Sequence, residues 1–297
     1  MAKKVIIFGG AGFVGTQLTK RLIENDFNVK VICTNKDKAQ KIIGSNPNLT
    51  FDSIDIFNLK EIKDVIIGYD YVINLIGKLY EVKTNDFYNY HELFVSNLCQ
   101  SLEDWQHLIH ISSLGVEISK TKSKYAATKY AAEVMIKDNA KVFTIIKPSV
   151  IFGARDNFFN MFSNMAKYSP FLPLVGTGDT LFSPVYVEDL VTAIIKIMTQ
   201  KNSNQVYAAC GPDTDSFKNI LKVLLTVIEK KRLLVPIPCS IAKIQAKIMN
   251  SIGIYLLTPD QVELLKFDNI NANKLPNIDT LTSKMTGYKS FLSNKST

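Results

Sequence analysis

The chain has few cysteines and no long apolar run, and both absences limit what it can be. Its four cysteines, Cys33, Cys99, Cys210 and Cys239, lie far apart and form neither a CxxC pair nor a cluster with metal-ligand spacing. A disulfide framework and a cysteine metal site are therefore excluded, and a reducing compartment is predicted. The sequence contains no stretch of about 18 consecutive apolar residues, so no segment is predicted to span a membrane.

Targeting and metal-binding patterns are also missing from the sequence. Residues 1–4 lead directly into an apolar segment, without the apolar stretch and small-residue cleavage site of a signal peptide. A cytoplasmic location is expected. His107 and His110 flank a predicted strand and are expected in the core or at its rim. No histidine–acid pattern indicates a metal site.

Basic side chains outnumber acidic ones, 35 to 27, which gives a formal charge of +8. This charge fits anionic partners such as nucleotide phosphates, anionic lipid or an acidic protein face, and it equally fits scattered, solvated lysines. Nucleic acid is not an expected partner, because no nucleic-acid-binding module is present. The hydrophobic fraction of 46% is ample for a buried core, which excludes a disordered chain.

Short apolar runs alternate with longer amphipathic segments as far as residue 147. Continuous apolar runs are typical of strands buried on both faces, and their alternation with helices predicts an α/β fold with a Rossmann-type, doubly wound parallel sheet. Prolines and loops become frequent after Pro148. Residues 1–150 are predicted to form the nucleotide-binding region, and residues 151–297 a smaller C-terminal α/β lobe that is not an independent domain. The predicted strands cover residues 5–8, 29–32, 71–76, 108–111 and 142–146.

A glycine-rich turn follows the first predicted strand and opens the first predicted helix. It reads Gly9-Gly10-Ala11-Gly12-Phe13-Val14-Gly15. The strand–turn–helix context makes it a credible dinucleotide site. Gly9 permits the tight turn, Gly12 lets the backbone approach a pyrophosphate, and Gly15 lets helix and strand pack closely. The N–H groups of the helix start, at Phe13 and Val14, would then bind the phosphates; a glycine turn without a ligand is the alternative.

The residues after the second predicted strand bear on the choice between NAD(H) and NADP(H). An acid about 20 residues after the glycines would bind the ribose 2′-hydroxyl of NAD. This chain has Thr34, Asn35 and Lys36 there, followed by Asp37 and Lys38. Asn35 and the two lysines could meet a 2′-phosphate, which favours NADP(H), whereas Asp37 keeps NAD(H) open. The lysines fit a solvated surface equally well.

An acid follows the third predicted strand region, which is expected to end at Asp55 and Ile56. A carboxylate at such a strand end can accept a hydrogen bond from the adenine amino group. An N-cap or loop acid is an equally good interpretation of Asp55.

Tyr125 and Lys129 are predicted to share one helical face, after a strand that ends in Ser112 and Ser113. A nearby ammonium stabilises phenolate, so the pKa of Tyr125 is expected to move down toward neutrality. Tyr125 could then exchange a proton with a substrate carbonyl or hydroxyl, while Ser113 holds that oxygen and Lys129 grips the nicotinamide ribose. Because such pairs are often structural, cofactor placement and catalysis are separate hypotheses.

Two later apolar segments each have two interpretations. The first could cover an apolar, quinone-like ligand or simply pack the lobe; it contains Phe158, Phe159, Met161, Phe162, Met165 and Tyr168. The second, residues 237–257, could lie on a membrane surface or a partner helix, or pack on the lobe. It carries Lys243 and Lys247 among Ile241, Ile244, Ile248 and Met249.

Five stretches resemble the extended short-chain dehydrogenase/reductase superfamily, in its atypical, epimerase/dehydratase-like branch. Within that branch they are similar to the NADPH-binding accessory subunits of respiratory complex I and their bacterial relatives, over about residues 3 to 285. The stretches are VINLIGKLYE from Val72, KPSVIFGARDN from Lys147, FLPLVG from Phe171, PVYVEDL from Pro184 and LTPDQV from Leu257.

The resemblance implies a tightly held NADP(H) and a place at the hydrophilic/membrane junction of complex I, near its ubiquinone end. It also implies residue roles: pyrophosphate binding by Gly9, Gly12 and Gly15, cofactor lining by Asn74 and Gly77, an active-site triad of Ser113, Tyr125 and Lys129, and nicotinamide contacts by Pro148 and Ser149. Thr34 and Asn35 stand where many superfamily members have arginine, and His91 stands where extended members usually have asparagine. Ser113, often lost among the complex I relatives, is present.

Two functions follow from the sequence. The first is an NAD(P)(H)-binding accessory or assembly subunit of NADH:ubiquinone oxidoreductase, peripheral on the inner face of the respiratory membrane and contacting it through the C-terminal lobe. The second is a free-standing NADP-dependent reductase, epimerase or dehydratase that uses Tyr125 on an unknown small molecule.

Overall fold

The computed structural model describes residues 3–253, 255 and 257–295. The strands in chain order are β1 Lys4–Phe8, β2 Asn28–Ile32, β3 Leu49–Asp52, β4 Tyr71–Asn74, β5 His107–Ile111, β6 Val142–Pro148, β7 Ile151–Phe152, β8 Phe171–Val175, β9 Leu181–Phe182, β10 Val185–Tyr186, β11 Gln205–Ala209, β12 Asp215–Ser216 and β13 Leu233–Ile237. The helices are α1 Phe13–Glu24, α2 Lys36–Ile43, α3 Leu59–Ile66, α4 Phe94–Ser101, α5 Val116–Ser119, α6 Lys124–Asn139, α7 Phe158–Tyr168, α8 Val187–Gln200, α9 Phe217–Val227, α10 Cys239–Ser251, α11 Pro259–Leu264 and α12 Tyr288–Lys295. A π-helical turn covers Tyr88–Leu93, and a 3-10 turn covers Ile278–Thr280.

Seven strands form one sheet in the order β11-β6-β5-β4-β1-β2-β3. The central pairs, from β3 through β1 to β6, are parallel. The apolar residues of β1 are fully buried, as expected for a strand covered on both faces. The predicted Rossmann-type α/β fold is confirmed. The register aligns Phe8 with Ile32 and Asn74, so the segments after β1, β2 and β4 leave the same edge of the sheet.

The chain divides into two compact units, each assembled from three segments. Within the described residues, unit 1 contains 3–112, 128–147 and 190–207, and unit 2 contains 113–127, 148–189 and 208–295, with the gaps at 254 and 256. Unit 1 therefore includes residues 190–207, from beyond the boundary predicted near residue 150; that division into domains stays a prediction.

An aromatic cluster forms the core of unit 2. Phe159 and Phe162 of α7 are buried in it, and the rings of Phe158 and Phe162 meet edge to face, with centroids 5.3 Å apart. The aromatic and methionine-rich segment thus packs the lobe, which is the plainer of its two interpretations. Tyr168, at the end of α7, is the exception and is exposed.

Helix α10 turns its smallest residues inward and its isoleucines outward. Ala242 and Ala246 are buried, whereas Ile244 and Ile248 are 62% and 61% exposed. The predicted amphipathic segment therefore leaves its apolar stripe uncovered within unit 2; residues 254 and 256 of that segment lie outside the described residues. Across the described chain, no helix combines the length and apolar character needed to cross a bilayer. Nor do the described His, Cys, Asp and Glu side chains offer a group of three that could hold a metal ion.

Candidate functional site

The glycine-rich turn joins β1 to α1 in unit 1. Gly9 has a φ of +82°, which favours glycine, and its carbonyl oxygen accepts a hydrogen bond from the Gly12 N–H at 3.0 Å. A methyl group on Gly15 would overlap the Gly9 carbonyl oxygen and lie 2.5 Å from the Cα of Gly10. On Gly12, which is exposed, the same group would meet the Gly9 carbonyl oxygen at 3.2 Å. The close packing of α1 on the glycine turn thus requires glycine at position 15, whereas a ligand has room to approach the backbone at Gly12.

The start of α1 is suited to an anion. Helix α1 begins at Phe13, directly after Gly12, which has no side chain to cap the helix. The first turn continues through Val14 and Gly15 to Thr16, all uncharged, and the Thr16 hydroxyl donates to the Gly12 carbonyl at 2.8 Å. N–H groups at a helix start, together with the helix dipole, favour a phosphate there. The turn therefore fits the pyrophosphate of a dinucleotide.

Asp52, which the sequence analysis missed, lies at the end of β3. Its carboxylate pairs with the Lys36 ammonium at 3.1 Å and accepts from the Ser53 N–H. These contacts lower the pKa of Asp52 although burial opposes them. Asn35 caps α2 by accepting from the Lys38 N–H at 2.8 Å. Thr34 and the side chains of α2's first turn are exposed.

The prediction that β3 extends to Asp55 and Ile56 is wrong, because the strand ends at Asp52. Asp55 lies in the turn that follows, where its side chain accepts from the Phe57 N–H at 2.9 Å and its own N–H donates to Glu61. Ile56 packs against the core of unit 1. These local bonds match the loop-acid interpretation of Asp55; its contact with adenine stays a prediction.

Asn74 ends β4 as a fully buried amide. Its Oδ1 accepts from the Ile76 N–H at 2.9 Å, which fixes the turn toward Gly77, and its Nδ2 lies 3.0 Å from Nδ1 of His110. The other ring nitrogen of His110, Nε2, is buried without a hydrogen-bond partner among the described residues. Burial holds the pKa of His110 well below its usual range, so the ring is neutral.

His91 connects the segment after β4 to helix α6. Its Nε2 accepts from the Lys78 N–H at 3.1 Å, and its Nδ1 lies 2.9 Å from the Thr128 hydroxyl. Burial, aided by the charge of Lys129, lowers the pKa of His91 to about 2. A neutral ring that accepts at Nε2 carries its proton on Nδ1, so His91 donates to Thr128. The two hydrogen bonds thereby hold the ring in a fixed place.

Lys129 is a buried ammonium at the same edge of the sheet. Its Nζ donates to the Ile111 carbonyl at the end of β5, at 2.7 Å. A methyl group on Gly77 would lie 3.6 Å from that nitrogen, so the segment after β4 passes directly beside it. Burial lowers the pKa of Lys129 to about 8, and the Glu133 carboxylate opposes the shift.

Ser113 and Tyr125 belong to unit 2 and are hydrogen-bonded through their side chains. The expected downward shift of the Tyr125 pKa is wrong in direction. Burial raises it to about 12, the Asp260 carboxylate adds to the rise, and the Ser113 hydrogen bond opposes it. Desolvation of a phenolate costs more than one hydrogen bond returns, so the phenol keeps its proton.

Asp260, at the start of α11, holds the first turn of α6. Its carboxylate accepts from the Ser123 hydroxyl and from the Lys124 N–H, both at 2.7 Å, and from the Tyr125 N–H at 3.3 Å. It thus acts as an N-cap supplied by a distant part of the chain.

Pro148 and Ser149 also form hydrogen bonds with other residues of unit 2. The Pro148 carbonyl accepts from the Leu114 N–H at 3.1 Å, and the Ser149 N–H donates to Ala209 at 3.0 Å. The Ser149 hydroxyl lies 2.7 Å from Oδ1 of Asn269. Both predicted nicotinamide contacts are therefore engaged in internal bonds, and their cofactor role stays a prediction.

Four residues of these clusters were missed from sequence: Asp52, Glu133, Lys147 and Asp260. Glu133 carried a usable signal, because it follows Lys129 at the spacing of one helical turn. Lys147 and Asp260 were quoted only as parts of stretches that carry the family resemblance. Asp52 and Asp260 gave no local signal of their partners, since those contacts join segments far apart in sequence.

The chain shows similarity to known proteins over most of its length. Subunit 9 of the NADH dehydrogenase (ubiquinone) 1 alpha subcomplex of Arabidopsis thaliana, described as mitochondrial, is 28% identical across 95% of this chain and 75% of the relative. The Mus musculus protein of the same description is 26% identical across 93% of this chain and 74% of the relative.

Among solved structures, dTDP-glucose 4,6-dehydratase from Bacillus anthracis, in complex with NAD, superposes with a TM-score of 0.76. The two chains are 15% identical, and the match covers 99% of this chain and 96% of the dehydratase. This likeness shows the fold. The model of the NAD dependent epimerase/dehydratase family matches residues 5–210, which include the glycine turn, Lys129 and both predicted active-site residues of unit 2. The chain belongs to the NAD dependent epimerase/dehydratase family.

Proposed function

We propose that this chain is an NAD(P)(H)-binding accessory or assembly subunit of NADH:ubiquinone oxidoreductase, complex I. The single observation that supports nucleotide binding is the glycine turn. The start of α1 after this turn has no side-chain cap and no charged residue, and there is room beside Gly12. The similarity to complex I subunits along nearly the whole chain supports the partner. A bound nicotinamide nucleotide supplies hydride chemistry, and the chain's own part is to hold it.

The proposed nucleotide is NADP(H), with NAD(H) as the competing ligand. The start of α1 would hold the pyrophosphate, and the Lys129 ammonium would donate to the nicotinamide ribose. Lys36 and Lys38, with Asn35 at the start of α2, favour a 2′-phosphate. Asp52 is the opposing group, because it already pairs with Lys36.

We further propose that α10 rests on an anionic membrane surface. Its outward stripe of Ile241, Ile244 and Ile248, continued by Ile252 directly after the helix, is exposed. Of its two lysines, Lys243 pairs with Glu263 and Lys247 is exposed. An apolar stripe beside basic side chains fits the boundary between acyl chains and anionic headgroups.

Vesicle flotation tests the proposed membrane contact of α10. Ile244→Ser with Ile248→Ser is expected to lose binding to vesicles that contain phosphatidylserine, and Ile67→Ser, an equally exposed isoleucine of unit 1, to keep it. Equal flotation of all variants contradicts the membrane contact.

The test of the whole proposal is a native gel of gently solubilised membranes from the source cell. The chain is followed by antibody, and its bound nucleotide is identified by mass spectrometry. Migration with complex I and release of NADP(H) is the expected result. A small free species confined to the soluble fraction contradicts the accessory-subunit function.

The second candidate function is a free-standing NADP-dependent reductase, epimerase or dehydratase. The hydrogen bond between Ser113 and Tyr125 favours it, because it would hold a substrate oxygen beside a phenol that still carries its proton. The change Tyr125→Phe separates the two functions. An enzyme is expected to lose turnover by about two to four orders of magnitude and keep its nucleotide, whereas an accessory subunit keeps its assembly. Turnover that survives the change rules out Tyr125 as the acid.

A further inference from the structure

A buried charge cluster in unit 1 begins at Glu133, one helical turn after Lys129. Glu133 of α6 and Lys147 of β6 are both fully buried and pair at 3.1 Å. The Ser112 hydroxyl donates a hydrogen bond to the other carboxylate oxygen of Glu133. One carboxylate therefore faces a hydroxyl and an ammonium in a space that excludes water.

The cluster is joined to Lys129 through both the helix and the strand. Glu133 follows Lys129 by one turn of α6, and the two charges attract each other. Ser112 directly follows Ile111, whose carbonyl accepts from Lys129. The end of β5 is thus bonded to α6 at two consecutive residues, once by the ammonium and once by the carboxylate.

We propose that Glu133 is a positioning residue that keeps Lys129 charged and directed at the nucleotide ribose. This rests on the proposed nucleotide-binding function. Two buried ammonium groups without a carboxylate are unfavourable, because each of them is desolvated. Glu133 supplies the compensating charge, and its bonds to Ser112 and Lys147 fix where that charge lies.

The titration of these groups supports the arrangement. Burial lowers the pKa of both Lys129 and Lys147 to about 8. Burial also raises the pKa of Glu133 to about 7, against the Ser112 hydrogen bond and the charges of Lys137 and Lys129. A nucleotide held by the Lys129 ammonium must lose affinity as the pH rises through the pKa of that group, by about tenfold per unit above it.

The experiment compares Glu133→Gln with Asp138→Asn in the full chain. Both changes remove one carboxylate from α6, but Asp138 is exposed. NADPH affinity is measured from pH 6 to 9.5, and the titration midpoint of Lys129 is measured by NMR of lysine labelled with 13C at Cε, with Lys129→Arg identifying its signal. Glu133→Gln is expected to shift both the loss of affinity and the midpoint by about one unit toward acid, and Asp138→Asn to shift neither.

The two measurements distinguish the possible failures. An unchanged midpoint in Glu133→Gln overturns the proposal whatever the nucleotide does. A shifted midpoint in a chain that binds neither NADPH nor NADH leaves the coupling intact and contradicts the nucleotide function instead. Should Glu133→Gln fail to fold, Glu133→Asp keeps the charge and moves it back by one methylene. It is expected to leave the midpoint near that of the wild type, and a one-unit shift there overturns the charge argument.

Discussion

At the scale of single residues, the choice of nucleotide depends on which anion Lys36 meets. Its ammonium is about half exposed and pairs with Asp52, and a 2′-phosphate would have to compete with that carboxylate. A phosphate carries more charge and more acceptor oxygens than a carboxylate. We therefore expect the pair to weaken discrimination against NAD(H) without preventing the proposed NADP(H) binding.

This competition gives a prediction with two opposite variants. Lys36→Ala is expected to weaken NADP(H) binding by about tenfold, the worth of one charge-assisted hydrogen bond, and to leave NAD(H) nearly unchanged. Asp52→Asn is expected to strengthen NADP(H) binding, because Lys36 is released. Lys41→Ala, an exposed lysine later in α2, is the control for general charge. Fluorescence titration measures all three, and equal losses for both nucleotides would show that Lys36 does not contact the 2′-position.

At the scale of elements, substitutions in the glycine turn can distinguish an effect on folding from an effect on nucleotide binding. Gly15 is enclosed by the backbone of Gly9 and Gly10, so Gly15→Ala must displace α1 from β1. A loss of about 1–3 kcal/mol in the free energy of unfolding is expected, as for other overpacked sites. Gly12→Ala has one contact at 3.2 Å and an exposed position, so it is expected to lose less than half as much stability and still to weaken NADPH binding. Urea unfolding and NADPH titration test the contrast; equal stability of the two variants contradicts it.

The first turn of α6 gives a second prediction at this scale. Asp260 accepts three hydrogen bonds from that turn, so Asp260→Ala should cost about 1–2 kcal/mol, the worth of a strong N-cap. Asp138→Ala removes the same side chain near the other end of α6, where a negative charge opposes the helix dipole, and should cost nothing. A urea midpoint that falls equally in both variants would show that Asp260 is not a cap.

The elements also show which parts of the fold could be predicted from the sequence alone. Five of the seven strands of the sheet and the glycine turn were predictable, because apolar runs and a strand–turn–helix pattern are local signals, whereas β11 was not predicted. The end of β3 was predicted at Asp55 and Ile56, three to four residues beyond its observed end at Asp52. The sequence alone did not show that the Asp55 side chain accepts a hydrogen bond from the Phe57 N–H and so belongs to the turn after the strand. The outward isoleucines of α10 were ambiguous for another reason. A helical period shows that a stripe exists, but not which side is covered, and the buried Ala242 and Ala246 settle that.

At the scale of the whole molecule, the three histidines make stability depend on pH. Burial lowers the pKa of His91 to about 2, that of His107 to about 4, and that of His110 well below its usual value. The unfolded chain takes up these protons near pH 6.5 and the folded chain does not. The stability that the three neutral imidazoles contribute is therefore present above pH 6.5 and is lost as the pH falls from there toward 4.

Glu133 acts in the opposite direction over part of the same range. Its pKa is raised to about 7, so between pH 4.5 and 7 the folded chain holds a proton that the unfolded chain has released. Three histidines against one carboxyl still leave the unfolded chain with more protons, so a net loss of stability is expected between pH 6.5 and 5. His107→Gln removes one of the three imidazoles, and because Glu133 offsets another, it should reduce the slope of unfolding free energy against pH in this window by about one half. Urea unfolding at half-unit steps checks the slope. A stability that stays flat or rises toward pH 5 in the wild-type chain would mean that the imidazoles are protonated in the fold, contrary to the burial of all three rings.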